Sequence, residues 1–305
     1  MIYMIYDILI VGGGPAGLTA ATYCRRAGKS VLVTEKACFG GQITWSPRVE
    51  NFPSCLSISG AELGDRMTEQ AIEQGAELVL EEVVSAKYDD GLIKLVCESG
   101  AEYEGRTLII ATGARPRPLG LEHEQELIGN GIGYCAVCDA AFFKGRVVAV
   151  NGGGNSALQD AMLLSEKASK VYLIHRRAGF RGEAKLLENL RKRENVEILT
   201  ETTVTKLLGE NELEGISVCE KGREHDIALD GLFIAVGHEP DNTVFRELID
   251  LDAQGYADAG ESCATKLPCV FAAGDCRRKS VRQLTTAAAD GSIAALAACA
   301  YLDRA

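Results

Sequence analysis

Ile5 to Val11 is a mostly apolar run, broken at Asp7, that stops at Gly12-Gly13-Gly14-Pro15-Ala16-Gly17, after which Ala and Leu dominate to about Ala27. A short apolar run ending at glycine reads as a buried strand, and the Ala/Leu stretch behind a proline as a helix. Ser30 to Thr34 repeats the apolar run, so the chain opens β-α-β. Between Ala61 and Gly75 the pattern becomes periodic: Leu63, Met67, Ala71 and Ile72 recur at helical spacing and predict an amphipathic helix facing the core. Glu82 to Tyr88, Leu92 to Cys97 and Thr107 to Thr112 read as strands, the first two joined by a hairpin turn at Asp89-Asp90-Gly91. Residues 39–53 show no clear period.

The scheme then restarts. Val147 to Val150 is a strand, Gly152-Gly-Gly-Asn-Ser-Ala157 a glycine turn, a helix runs to about Lys167, and Lys170 to Ile174 is the next strand. Glu183 to Arg193 reads as a helix, and 196–234 as strands with glycine turns. Gly12 maps to Gly152 and Glu35 to His175 with the same offset of 140 residues, and Leu108 to Gly113 is echoed by Leu232 to Gly237. This is an internal duplication. Arg115-Pro-Arg-Pro118 and Gly237-His-Glu-Pro240 break regular structure and mark two crossings between domains. The expected fold is α/β, two Rossmann-like (three-layer ββα) dinucleotide-binding domains with the second inserted into the first, at 1–116, 117–242 and 243–305.

Each copy carries a dinucleotide fingerprint between a strand and a helix. Gly12, Gly14 and Gly17 make GxGxxG, and Gly152, Gly154 and Ala157 make GxGxxA; the glycines allow a tight turn and let a pyrophosphate approach the helix N-terminus. Glu35, at the end of the second strand, suits a ribose hydroxyl. The second copy offers His175-Arg176-Arg177 and Arg181 instead, which suits a 2′-phosphate and points to NADPH. Two such units in one chain suggest an electron relay.

Cys135-Ala-Val-Cys138-Asp139 lies just upstream of the second copy. Two thiols three positions apart can close and reopen a small disulfide ring, and Asp139 adds a proton donor and acceptor. No second CxxC accompanies it, and His123, His175, His225 and His238 lack the spacing of a zinc site, so no metal is expected.

Composition narrows this further. With 305 residues, 47% hydrophobic content, 33 glycines and a net charge of −11, the chain suits a soluble two-domain α/β protein and disfavours nucleic-acid or anionic-membrane binding. The segment from Met1 to Asp7 has no positive region and reads as the start of the first strand, not a secretory signal. The Ala-rich stretch from Leu284 to Leu302 is interrupted by Asp290 and Gly291 and reads as a buried helix. Eleven cysteines without an export signal imply a reducing cytoplasm, nine of them serving as packing residues.

Together with Gly40-Gly41-Gln42, Glu50-Asn51-Phe52-Pro53, Gly274-Asp275 and Arg282-Gln283, these motifs cover essentially the full length, and the chain resembles the bacterial low-molecular-weight thioredoxin reductases. Glutathione-reductase-like flavoenzymes, by contrast, carry a wider CxxxxC in the FAD domain. The resemblance implies FAD in the first domain, on Gly12, Gly14, Pro15, Ala16, Gly17, Glu35, Lys36, Gly41, Gln42, Asn51, Thr112, Gly113, Gly274, Asp275, Arg282 and Gln283. It implies NADPH in the second, on Gly152, Gly154, Asn155, Ser156, Ala157, His175, Arg176, Arg177 and Arg181. Cys138 is implied to face the flavin, Cys135 to attack thioredoxin, and Asp139 to act as general acid and base. The family is homodimeric, rotates the NADPH domain between half-reactions, and uses an aromatic pair, here Phe142 and Phe143, to dock thioredoxin. The N-terminus of the last helix is expected to favour a flavin that becomes anionic on reduction. The chain departs from the family at Gln159-Asp160, Val281 and Asn130 without losing a catalytic group. Two readings stay open beside this one: the same relay serving another disulfide protein, such as a peroxide-reducing carrier, and a non-enzymatic dinucleotide-binding redox sensor.

Overall fold

The computed structural model describes residues 4–304; Met1, Ile2 and Tyr3 of the expected first strand lie outside them. The first half runs β1 (Ile5–Val11), α1 (Pro15–Arg26), β2 (Val31–Glu35), α2 (Gly60–Glu73), β3 (Glu77–Leu80), β4 (Val83–Asp89), β5 (Leu92–Cys97) and β6 (Glu102–Ile110). After β7 (Ala114–Pro116) come β8 (Ile132–Gly133), α3 (Ala136–Asp139), β9 (Val147–Gly152), α4 (Asn155–Ser165), β10 (Lys170–His175), α5 (Ala184–Arg191), β11 (Val196–Thr200), β12 (Thr202–Leu208), β13 (Gly215–Glu220), β14 (Arg223–Ala228) and β15 (Gly231–Ala235). β16 (His238–Pro240), β17 (Val270–Ala272) and α6 (Leu284–Leu302) complete the chain. It divides into two compact units, one reaching to Arg115 and resuming at Glu239, the other Pro116–His238.

In the first unit the parallel strands run in the order β3-β2-β1-β6-β17, and β6 also pairs antiparallel with β5 of the β4–β5 hairpin. Side chains alternate across this sheet, as the two-residue period of a strand requires. Ile8, Ile10 and Ile109 pack with α1 and α6, whereas Leu9, Val11, Leu108 and Ile110 pack with Ile93 and Leu95 of the hairpin and with Phe245. A sheet covered on both faces explains why β1 has no polar alternation; full burial of each Ile or Leu contributes about 1.5–3 kcal/mol. The hairpin turns through Asp90 and Gly91, both at positive φ, as a two-residue turn demands.

The second unit repeats the plan with parallel order β11-β10-β9-β15-β8 and a separate β12-β13-β14 meander. Here β8, which precedes its sheet in sequence, takes the place beside β15 that β17 takes beside β6. The three-layer ββα architecture thus holds in both units.

Three sequence expectations are corrected. Ile72 lies on the outer side of α2 and is 52% exposed, while Leu63 and Ala71 make the buried face. β3, unrecognised in the sequence because only four residues pair along a sheet edge, supplies the outermost parallel strand. Of the nine cysteines outside the CxxC, Cys38 is exposed, with its Sγ 3.7 Å from Thr44 Oγ1, so it does not pack the core. α6 has the length and mean hydropathy, 1.2, of a membrane span. Its Ala294, Ala295 and Ala298 nevertheless share a core with α1, and a Cβ on Gly291 would stand 2.2 Å from Ala16 O. Close packing of small residues is the reason for its composition.

Candidate functional site

Both glycine loops follow one steric logic. A Cβ on Gly12 would lie 2.2 Å from Ala111 O, and one on Gly152 would lie 2.4 Å from Ala235 O; these glycines are dictated by backbone packed against the loop. Gly17 faces Gly12 O in the same way, at 1.9 Å. Gly14 and Gly154 differ: each N-caps its helix in an extended conformation, with no side-chain cap and nothing within 4 Å of a Cβ. The N-termini of α1 and α4 therefore lack a side-chain acceptor from the cap. An uncapped helix N-terminus behind a glycine turn is a cradle for an anion.

Around the first cradle the predicted residues converge. Glu35 Oε2 accepts from Gly13 N at 2.7 Å and Oε1 from Ala37 N at 2.9 Å, which fixes the carboxylate beside the loop. Gly40 N donates to Gly13 O at 2.8 Å, and a Cβ on Gly41 would meet Gly14 Cα at 3.0 Å, so the turn at Gly41–Trp45 passes over the cradle. Gln42 Nε2 donates to Ala114 O beside Gly113, and Thr112 Oγ1 donates to Asn242 Oδ1. Gly274 abuts Ala16 in the first turn of α1. Asp275 Oδ1 is the one buried side-chain oxygen or nitrogen without a hydrogen-bond partner among the described residues. Burial raises its pKa, against Lys279 and Arg282, which lower it. An orphaned acceptor beside an uncapped cradle fits a ligand carrying both a pyrophosphate and hydroxyl groups, as a dinucleotide does.

Other candidates have partners within the same unit. Lys36 pairs with Glu82 and Asp241 at the surface. The Arg282 guanidinium lies over the Tyr256 ring, 4.2 Å from its centroid. Asn51 Nδ2 reaches Gln283 Oε1 at 3.4 Å. Gln283 and Thr286 form a reciprocal capping box at the start of α6, so side chains already occupy part of the helix end that the sequence reading gave to a reduced flavin. Asn242, buried and donating to Gly255 O and Cys276 O as well as meeting Thr112, was not singled out in the sequence. A lone Asn two residues past a proline carries no local signal for that role.

In the second unit the basic segment folds back over its cradle. Arg181 N and Gly182 N donate to Gly153 O, and Glu183 N donates to Asn155 Oδ1 at 2.7 Å. Arg176, Arg177 and Arg181 stay exposed, as does Ser156. His175 behaves differently. It is buried, its Nε2 sits 3.1 Å from Gly179 O, its ring stacks near Phe180, and a Cβ on Gly153 would fall within 2.2 Å of it. Burial first, then the three arginines, lower its pKa; it is a neutral prop under the loop, while the arginines carry the positive charge.

Cys135 and Cys138 are joined as a disulfide with Cα atoms 5.3 Å apart, on the short helix α3 directly after β8. They stand at the end of the strand that matches β17, so the dithiol occupies in this unit the place that Gly274-Asp275 occupies in the other. Cys138 N donates to Cys135 Sγ at 3.2 Å, an arrangement that stabilises negative charge on that sulfur. Asp139 is half-buried, and burial alone pushes its pKa up to about 6. Asp160 on α4 is raised to about 6 for the same reason. Val137, between the cysteines, is 60% exposed. Phe143, half-buried like Phe142, meets Phe233 edge-on at 5.2 Å and lies against Gly231. No group of three or more potential metal ligands occurs among the described residues.

The pyridine nucleotide-disulphide oxidoreductase family profile matches residues 6–291. A thioredoxin reductase of Bacillus subtilis (strain 168) is 40% identical, over 98% of this chain and 95% of its own. The crystal structure of thioredoxin reductase from Streptococcus pyogenes superposes with a TM-score of 0.93 at 35% identity, covering 99% of both chains. Lactococcus lactis thioredoxin reductase in its FR conformation gives 0.69 at 32% identity, over 98% of this chain and 100% of its own.

Proposed function

The chain belongs to the thioredoxin reductases of the pyridine nucleotide-disulphide oxidoreductase family, and we propose that it uses NADPH to reduce a thioredoxin disulfide. Electrons pass through FAD in the first unit and the Cys135–Cys138 pair in the second. The observation that carries this reading is a dithiol, already joined as a disulfide, beside a burial-raised carboxylate in a chain with two uncapped dinucleotide cradles.

Bound FAD and NADPH supply hydride transfer and two-electron storage. The chain's own residues bind, orient and move protons. Gly14 and Gly154 leave room for each pyrophosphate at the first amides of α1 and α4. Glu35 and Asp275 accept from hydroxyls in the first unit, and Arg176, Arg177 and Arg181 meet the 2′-phosphate in the second, with His175 supporting the loop. In the reduced pair the Cys135 thiolate attacks one sulfur of the partner's disulfide, forming a mixed disulfide and releasing a partner thiolate, which Asp139 protonates. The Cys138 thiolate then attacks Cys135 Sγ; this re-forms the Cys135–Cys138 bond and releases the second partner thiolate.

One flavin ring must serve both the nicotinamide and the dithiol, so the second unit is proposed to rotate about the crossings at β7 and β16. The Lactococcus lactis relative, described in an FR conformation, supports this. A cross-linked variant held in one orientation should lose turnover while keeping FAD; unchanged turnover would refute rotation. A homodimer in the cytoplasm belongs to the same proposal, and sedimentation of the purified protein tests the dimer.

The test of the function is anaerobic NADPH oxidation by the FAD-loaded protein before and after oxidised thioredoxin is added. Thioredoxin-dependent turnover is expected. Cys138→Ser should keep a flavin that NADPH bleaches yet lose turnover. Bleaching without turnover in the unmodified enzyme would redirect the search to another disulfide acceptor, and no bleaching would overturn the NADPH assignment.

A further inference from the structure

Asp290 is the only charged residue of the Ala-rich α6, and its side chain is 5% exposed, as is that of Arg277; Lys279 is 7% exposed. Removing an ion from water is costly unless it is paired and hydrogen-bonded, and Asp290 is both. Its Oδ2 accepts from Gly274 N at 3.0 Å, Arg277 Nε at 2.8 Å and Lys279 Nζ at 2.9 Å, and its Oδ1 accepts from Arg277 Nη2 at 2.7 Å. A helix so rich in alanine could pack on α1 without any charge, so the position calls for another reason.

The bonds supply it. Gly274 immediately precedes Asp275 and Arg277 follows two residues later, so one carboxylate grips the turn on both sides of the residue whose Oδ1 lacks a partner. Gly274 also abuts Ala16 at the start of α1, and Gly291, next to Asp290, packs on Ala16 O. The grip is therefore referenced to the same first helical turn that forms the anion cradle.

We propose that Asp290 is a positioning residue for the dinucleotide of the first unit: by holding Gly274 N and the Arg277 guanidinium, it aims the Asp275 carboxylate at a hydroxyl of bound FAD. This rests on the assignment of FAD to that unit. Asp290 makes no contact with the ligand; it acts through Asp275, and that route distinguishes it from a residue that merely stabilises the fold.

The experiment is a double-mutant cycle on FAD affinity, read by quenching of flavin fluorescence on the full-length apoprotein well below its unfolding midpoint. Asp275→Ala removes one hydrogen bond to a charged acceptor and should weaken FAD about 30-fold. Asp290→Asn should weaken it about 10-fold in the wild-type background and less than about twofold in the Asp275→Ala background, because its route is already cut. Asp290→Glu keeps the neutralising charge while displacing the carboxylate, so it completes the cycle if the Asn variant does not fold, with the same collapse of effect expected. Equal Asp290 effects in both backgrounds, or no effect on FAD affinity in either, would overturn the positioning role alone. A wild-type chain that does not bind FAD, or an Asp275→Ala variant that binds it undiminished, would overturn the cofactor assignment as well.

Discussion

Replacing Asp139 by Asn should make the protein more stable at neutral pH and nearly inactive. Burial moves the Asp139 pKa from its ordinary 3.8 to about 6, so the folded state holds its proton more tightly than the unfolded chain. Below about pH 3 both states are protonated and the group has no effect on stability. As pH rises the unfolded chain ionises first, and above pH 6 the folded protein must hold a buried carboxylate at a cost of up to about 3 kcal/mol. At pH 5 the cost is roughly half of that. Asn is isosteric and neutral, so Asp139→Asn should gain about 3 kcal/mol at pH 8, about half as much at pH 5, and little at pH 3. Partial hydration of a half-buried group makes these figures ceilings. The assay is urea unfolding of the oxidised FAD-loaded protein at pH 5 and pH 8, read from a signal of the second unit. Thioredoxin-dependent turnover should fall by about 10²–10⁴-fold, the usual contribution of a positioned acid–base group. A variant no more stable than wild type at pH 8, or equally stabilised at pH 5 and pH 8, would show that desolvation does not tune this carboxylate.

The two kinds of glycine give opposite outcomes. Gly12→Ala puts a Cβ 2.2 Å from Ala111 O at φ +110° and should yield little folded protein, whereas Gly14→Ala, with open space and an extended backbone, should fold normally and bind FAD at least tenfold more weakly; equal circular dichroism and equal FAD affinity for both variants would refute the distinction. Arg176→Ala combined with Arg177→Ala should raise KM for NADPH by about 10–100-fold and leave that for NADH nearly unchanged. Equal effects on both nucleotides would count against 2′-phosphate recognition.

Much of this was readable locally. A strand buried on both faces must be apolar throughout, a turn that brings backbone against backbone must be glycine, and a duplicated pattern must produce duplicated units. Those constraints act between near neighbours, so β1, α1, β9, α4 and the CxxC are legible in one dimension. The structure alone decided which groups meet across long separations. β8 comes before its own sheet yet pairs with β15, and this carries Cys135 and Cys138 to the end of the parallel strand at the edge of that sheet. Asp290 looked like a flaw in an apolar helix until Gly274, Arg277 and Lys279 closed around it. His175 reads as a phosphate ligand beside its arginines, but its ring is spent under Gly153, and Gln283 is drawn into capping α6. Sequence patterning records whether a residue is buried and which local geometry it permits; the partner it finds is set by packing between elements far apart in the chain, where no local signal distinguishes a ligand from a prop.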